Sequence, residues 1–353
     1  MSPNMVFVVG LVVLVSAILT WGLRVLPREN MQILATIPLR RIDGDLWRGV
    51  NLTWYGVMQM TGMVLAIALA LVLATAAGVP TQALVLVIGV MLAVALPAAG
   101  IVARLVERRR GTFTVGGAVF AAALFLPWTA LALDLLTRGD HALPIISAIA
   151  VAYPLGEGIG RLACISFGCC YGRRLEDCGP GLQALFRRRP AVVVGATRKA
   201  VYDGRCEGVP LVPAPALSAL VLSFAGLIGV PLFLDGDFRA AAVLSLSVAF
   251  LWRFASEFLR ADDRGGRRGK RRLSAYQWMA LASLVYVVSA VGLGSAVGLL
   301  SSPVRRPGIL DGLALLASPF TLLALAAVGA SVFAYLGVSK VTTATLRLGV
   351  KDR

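Results

Sequence analysis

The sequence predicts an all-α integral membrane protein, a polytopic helical bundle with about nine transmembrane helices. Three observations predict it. The chain of 353 residues is 58% hydrophobic, and its mean hydropathy of +0.82 lies well above a soluble norm. Apolar runs of roughly 20 residues, the length that crosses a bilayer as a helix, recur from end to end. Basic residues gather in alternate intervals between those runs. Backbone groups in hydrocarbon must pair within their own segment, so helices are the expected form of every run.

Taken in order, spans are expected at about 5–26, 53–77, 82–105, 113–136, 142–165, 214–234, 239–259, 274–300 and 309–338. The first is too long and too weakly flanked at its start for a cleaved signal peptide and is read as a retained span. The expected organisation is a helix with a basic connector (1–50), a helical bundle (51–300) carrying a polar loop at about 173–213, and a further helix with a basic tail (301–353). No internal repeat or low-complexity tract is evident.

The formal net charge is +16. In a chain dominated by membrane helices this favours anionic lipid headgroups as partners; no nucleic-acid motif is present and no nucleic acid is expected. Five segments, Arg24–Leu52, Arg104–Gly111, Arg173–Pro213, Arg260–Leu273 and Ser339–Arg353, hold 28 of the 34 Lys and Arg residues. With nine spans all five share one side, which the positive-inside rule makes cytoplasmic.

The stretch that organises the rest is Tyr153–Gly172, YPLGEGIGRLACISFGCCYG. Glu157 and Arg161 stand one helical turn apart, and Gly156 and Gly160 share a face that another backbone or a lipid can approach closely. An arginine in hydrocarbon needs a partner or an anionic ligand. The stretch therefore reads as the wall of a cavity for an anionic headgroup. Arg253, Glu257 and Arg260 form a second face, with spacing that lets the acid pair with both arginines. Arg260 reads equally as a helix-end arginine snorkelling to the headgroups. Trp54-Tyr55-Gly56 opens the second span as an interfacial anchor or a site element. Thr114-Val115-Gly116-Gly117 opens the fourth, where the glycines serve packing or a turn.

The five cysteines lie between Cys164 and Cys206. Adjacent Cys169 and Cys170 are poorly placed to bond each other. No C-x-x-C pair offers a structural zinc site, and no metal is expected. Cys164 reads as small apolar packing. A disulfide from Cys169 or Cys170 to Cys178 or Cys206 requires an oxidising compartment. His141, the sole histidine, reads as a solvated loop residue. No P-loop or Rossmann context is present and no cofactor is expected.

The order of these motifs resembles the prolipoprotein diacylglyceryl transferase family from about Asn51 to Ser283. The resemblance rests on Trp54-Tyr55-Gly56, Val115-Gly116-Gly117, Gly160-Arg161-Leu162 with Gly168 and Tyr171-Gly172, Arg253-Phe254-x-x-Glu257-Phe258-x-Arg260, and Ser274-x-x-Gln277. It implies a bacterial inner-membrane enzyme that moves diacylglycerol from phosphatidylglycerol, or another anionic phospholipid, onto a prolipoprotein cysteine with release of glycerol phosphate. Arg161 and Arg253 would bind the phosphodiester, Glu257 would hold Arg253, and Tyr55 and Tyr171 would orient the headgroup. Gly117, Gly172 and Arg260 would complete the binding site. Val115 stands at the family's histidine position, Cys164 at its signature asparagine and Cys169 at a glutamate. The His-Pro and Tyr-Glu pattern near Pro213–Ser218 is not kept. The resemblance places the signature on the periplasmic face, opposite to the side given by the loop charges. The other readings are a transferase with a different acceptor, a non-catalytic lipid-binding protein, and a thiol oxidoreductase built on the cysteines.

Overall fold

The structure is a computed structural model that describes residues 1–108, 114–137, 139–262, 273–300 and 306–347, with side chains described up to residue 339. Arg109, Arg110, Arg138, Arg305, residues 263–272 and the tail beyond 347, which enter the charge tally, lie outside the described residues.

The elements run α1 (Pro3–Val25), β1 (Ile33–Asp43), β2 (Leu46–Thr53), α2 (Trp54–Ala76), α3 (Thr81–Val102), α4 (Val115–Thr137), α5 (Ala142–Phe167), α6 (Pro180–Phe186), α7 (Lys199–Tyr202), α8 (Ala214–Leu234), α9 (Phe238–Ser256), α10 (Ala275–Ala296), α11 (Ile309–Leu316), α12 (Pro319–Leu336) and β3 (Val338–Arg347). Among the described residues nine helices are long and apolar enough to cross a membrane: α1 to α5, α8 to α10 and α12. The predicted class is observed: the chain is an α-helical, polytopic integral membrane protein.

The last predicted span is corrected. Residues 309–338 form two helices, broken at Ala317-Ser318-Pro319, where the Ser318 hydroxyl accepts from the Thr321 N–H at 3.3 Å and starts α12. At eight residues, α11 is about 12 Å long and too short to span. It lies on α2: a Cβ on Gly312 would meet the Val72 carbonyl, and Gly308 N–H donates to Ala76 O at 3.0 Å.

The connector and tail carry a sheet that the helical pattern did not predict. β1 and β2 form an antiparallel hairpin (Asp43 opposite Leu46), turned by Gly44 at φ +45°. β3 pairs antiparallel with β2, Leu46 opposite Arg347 and Leu52 opposite Val338. Asp43-Gly44-Asp45 is a hairpin signal, but the third strand arrives from the far end of the chain.

α5 is the centre of the bundle. Its most apolar window is 83% buried, against 17% for α1, α3 and α12. Glycines set its crossings. A Cβ on Gly62 of α2 would meet the Gly156 carbonyl and the Gly160 backbone, so the two helices touch backbone to backbone. Gly158 meets Ser223 and Ala219 of α8, and Gly226 of α8 meets Val151 and Leu155. The expected Gly156/Gly160 face is thus taken by α2. Asp134 of α4 caps the start of α5, accepting from the N–H groups of His141 and Ala142 at 2.9 and 2.8 Å. His141 is half-buried there, not a solvated loop residue.

The described parts of the basic segments meet at one end of the bundle. Arg198, 1% exposed, donates to the carbonyls of Leu26, Pro27 and Arg28 at the end of α1. Arg173 N–H donates to Leu259 O at 2.8 Å, Thr53 N–H to Gly337 O at 2.9 Å, and the Tyr276 hydroxyl to Glu107 at 2.7 Å. Asn4 bonds Pro307 and Ile309 at the opposite end. Single cysteines at Arg41 and Arg188 are therefore expected to label from one face of the membrane, and at Asp140 and Asp235 from the other. Labelling of Arg41→Cys and Arg188→Cys from different faces would refute this arrangement.

Candidate functional site

The polar centre is built on α5 and α9. Tyr153, Glu157 and Arg161 follow at spacings of four on α5, so they share one face of an otherwise apolar helix. Arg253 reaches them from the last turn of α9. Glu157 accepts from Arg161 through one carboxylate oxygen, and from Arg253 (2.6 Å) and the Tyr153 hydroxyl through the other. Arg253 Nε donates to the Tyr153 oxygen at 3.0 Å. The side chains of Glu157, Arg161 and Arg253 are 8%, 14% and 14% exposed, so their charges are matched inside the protein with one positive charge left over. Arg161 Nε is buried with no hydrogen-bond partner among the described residues.

Arg161 and Arg253 form one wall of a narrow cleft between α4, α5, α9 and α10. Arg161, Arg253, Arg260 and Glu257 line it, with Gly116, Tyr276 and Ser283 opposite. Three guanidinium groups thus face one carboxylate. Arg260 is held by a two-pronged pair with Asp262 at 2.8 and 2.6 Å. Glu257 accepts from the Ser274 hydroxyl at 3.4 Å, and Ser274 with Gln277 forms a reciprocal cap on α10.

Arg161 and Arg253, 92 positions apart in sequence, converge as expected. The carboxylate that holds Arg253 is Glu157, not Glu257 as the spacing suggested. A partner three or four positions along the same helix competes with one on a facing helix, and here burial on α5 makes the facing carboxylate the nearer. Gly117 does not line the cleft: a Cβ there would meet Val102 of α3, whereas Gly116 faces the cleft and Tyr276. The Tyr171 ring packs with Ala200, Cys206 and Leu211 in a small core outside the bundle. Its carbonyl accepts from Ala261 N–H at 3.0 Å, and Gly172 bridges to Arg260. A Cβ on Gly172 would strike the Val212 carbonyl. Tyr171 and Gly172 thus set the backbone at Arg260. Tyr55 lies on the other flank of α5, its ring 5.7 Å from Phe167, and Gly56 exists for a backbone contact with Gly337.

Tyr153 was missed by sequence reasoning. Its signal was the i, i+4, i+8 polar series. Buried Arg198 was also missed, because a basic loop conceals which of its arginines turns inward. Burial pushes the Arg198 guanidinium below its ordinary value. All five cysteines are free thiols. Cys178 and Cys206 sit in separate small cores, donating to the carbonyls of Arg174 and Gly204, and neither is bridged to Cys169 or Cys170, a pairing that would require an oxidising compartment. Cys164 approaches Cys170 at 3.7 Å and is part of a thiol group, not mere apolar packing.

Fold and cleft together define a membrane-embedded protein with a cationic site among its helices. Residues 45–294 match the family model described as prolipoprotein diacylglyceryl transferase, and the chain belongs to that family. It is thus a transferase-type integral membrane protein whose partners are lipid and membrane in general. Comparison with curated proteins found no match.

Removing the shared carboxylate strands two buried guanidinium groups. Glu157→Ala is expected to lose about 3–5 kcal/mol of stability, the usual cost of breaking a buried pair from one side. Tyr153→Phe should lose less, about 1–3 kcal/mol. Thermal unfolding in detergent checks both. Equal losses would show that the carboxylate is not the hub.

Proposed function

We propose that the chain is a bacterial inner-membrane enzyme that transfers the diacylglyceryl group of phosphatidylglycerol, or another anionic phospholipid, to a prolipoprotein cysteine thiol. Family membership supports the reaction class. The observation that carries the site assignment is the convergence of Arg161 and Arg253 on one cleft wall, tied through Glu157, with Arg161 Nε left for a further acceptor.

In this reading the headgroup phosphate lies against Arg161 and Arg253. The acceptor sulfur bonds to the terminal glyceryl carbon of the diacylglycerol while the bond from that carbon to the phosphate oxygen breaks. Glycerol phosphate leaves with the electron pair of that bond. Guanidinium groups aimed at the departing phosphate stabilise the charge it gains. Glu157 and Tyr153 keep the two forks pointed, so little reorganisation is needed as the charge moves. Arg260, held by Asp262 and by the Gly172 bridge, adds a third guanidinium to the cleft lining. The thiol proton passes to Glu257, the carboxylate that lines the cleft among the described residues. Val115 has no group to accept it. Tyr55, Gly117, Tyr171 and Gly172 act at one remove, by packing and by backbone placement.

Purified protein given phosphatidylglycerol and a peptide carrying the acceptor cysteine is expected to release glycerol phosphate and yield a thioether-linked lipopeptide. Arg253→Lys should fall well short of wild type, because a point charge does not replace a bidentate fork. Glu257→Gln is expected to lower kcat by about 10²–10⁴, the range of general acid–base help, with KM for the lipid little changed. Absence of glycerol phosphate release from the wild-type protein would refute the enzyme reading in favour of a lipid-binding one. Unchanged kcat in Glu257→Gln would remove Glu257 from the proton path.

A further inference from the structure

A second group of reactive side chains lies at the other flank of α5. Cys164 stands in its last turn. Gly168 ends the helix in the left-handed region at φ +73° and returns its N–H to the Cys164 carbonyl at 2.8 Å. Two residues later Cys170 is also left-handed, at φ +55°, a conformation that side-chain-bearing residues rarely hold without a reason. Neighbouring residues in extended chain point apart. Here the two left-handed positions fold the chain back, and the sulfurs of Cys164, Cys169 and Cys170 all lie within 4.8 Å of one another.

That spacing has a chemical meaning. A metal ion held by three thiolates at about 2.3 Å spaces their sulfurs about 4 Å apart in a trigonal plane, and Cys164 and Cys170 stand at 3.7 Å. Among the described residues no histidine or carboxylate joins the group. The donor set is therefore three soft sulfurs, which suits a soft, low-coordinate ion better than zinc with its four ligands. Three thiolates beside hydrocarbon need opposing charge, and the Arg161 guanidinium stands 3.9 Å from the Cys170 sulfur. A route in exists. A cleft outside the arginine site is lined by Cys164 and Cys169, with Ile165, Val193, Leu211 and Val212 around them.

We propose that Cys164, Cys169 and Cys170 form a trigonal three-thiolate site for a soft metal ion of the copper(I) class, at the edge of the membrane beside the arginine cleft. This proposal does not rest on the transferase reading, although Arg161 is common to both sites.

The test uses full-length protein in detergent, reduced and without oxygen, titrated with copper(I) against a competing chromophoric chelator. One copper(I) per chain is expected, with X-ray absorption showing a first shell of sulfur only. Cys164→Ser, Cys169→Ser and Cys170→Ser should each weaken binding by more than the roughly 10- to 100-fold that follows loss of an outer-shell partner. Cys178→Ser and Cys206→Ser should bind as wild type. Three results would overturn the proposal: stoichiometric binding that survives serine at all three positions, a nitrogen or oxygen first shell in the wild type, or no binding in competition with the chelator. The absorption measurement needs no variant, so the test does not depend on whether the serine proteins fold.

Discussion

Glu157 is the constraint on which the rest of the bundle depends. A carboxylate sealed among membrane helices is tolerable only if its charge is met on the spot. Arg161 meets it from the next turn of the same helix, and Arg253 meets it from α9. The pairing therefore specifies how α5 and α9 turn toward each other. Tyr153 adds a hydroxyl that donates to the acid and accepts from Arg253, which leaves little freedom for the guanidinium to rotate. The cleft wall is rigid because its charges cannot separate without being stranded.

That pairing needs α5 at the centre, and small residues put it there. Gly62, Gly156 and Gly160 bring α2 against α5, while Gly158 and Gly226 do the same for α8. No hydrophobic force separates helices from lipid tails, so contact depends on close packing and interhelical hydrogen bonds. The glycines leave α5 buried around most of its circumference, and a helix so enclosed keeps Glu157 and Arg161 largely out of water. Enclosure and charge pairing thus require each other.

The polar end of the bundle is bound together by backbone. Arg198 fills the carbonyl end of α1, Gly172 and Arg173 pair with the segment that follows α9, and β3 returns from the chain's far end to β2. The same loop cluster turns the end of α5 so that three thiols face one another beside the arginine cleft, with Arg161 within 3.9 Å of the Cys170 sulfur. One helix terminus thereby serves two chemically different surroundings.

Much of this was legible in the residues alone. Span lengths, the alternation of basic segments, the polar face of α5 and the arginines of α9 follow from local pattern, because membrane helices announce themselves by length and an arginine in hydrocarbon demands a partner. Which partner was not legible. Glu257 and Glu157 are both carboxylates at plausible spacing, and the choice between them was made by the rotation of α9 against α5, a property of packing. The break at Pro319, the strand pairing of β2 with β3, and the inward turn of Arg198 were decided in the same way. So was the meeting of Cys164 with Cys169 and Cys170, since left-handed φ at Cys170 is not written in any periodicity. Local sequence determined the helices and the charges they carry; the close approach of glycine-bearing backbones decided which charges meet, because a buried ion's partner is whichever group the packing brings within hydrogen-bond reach.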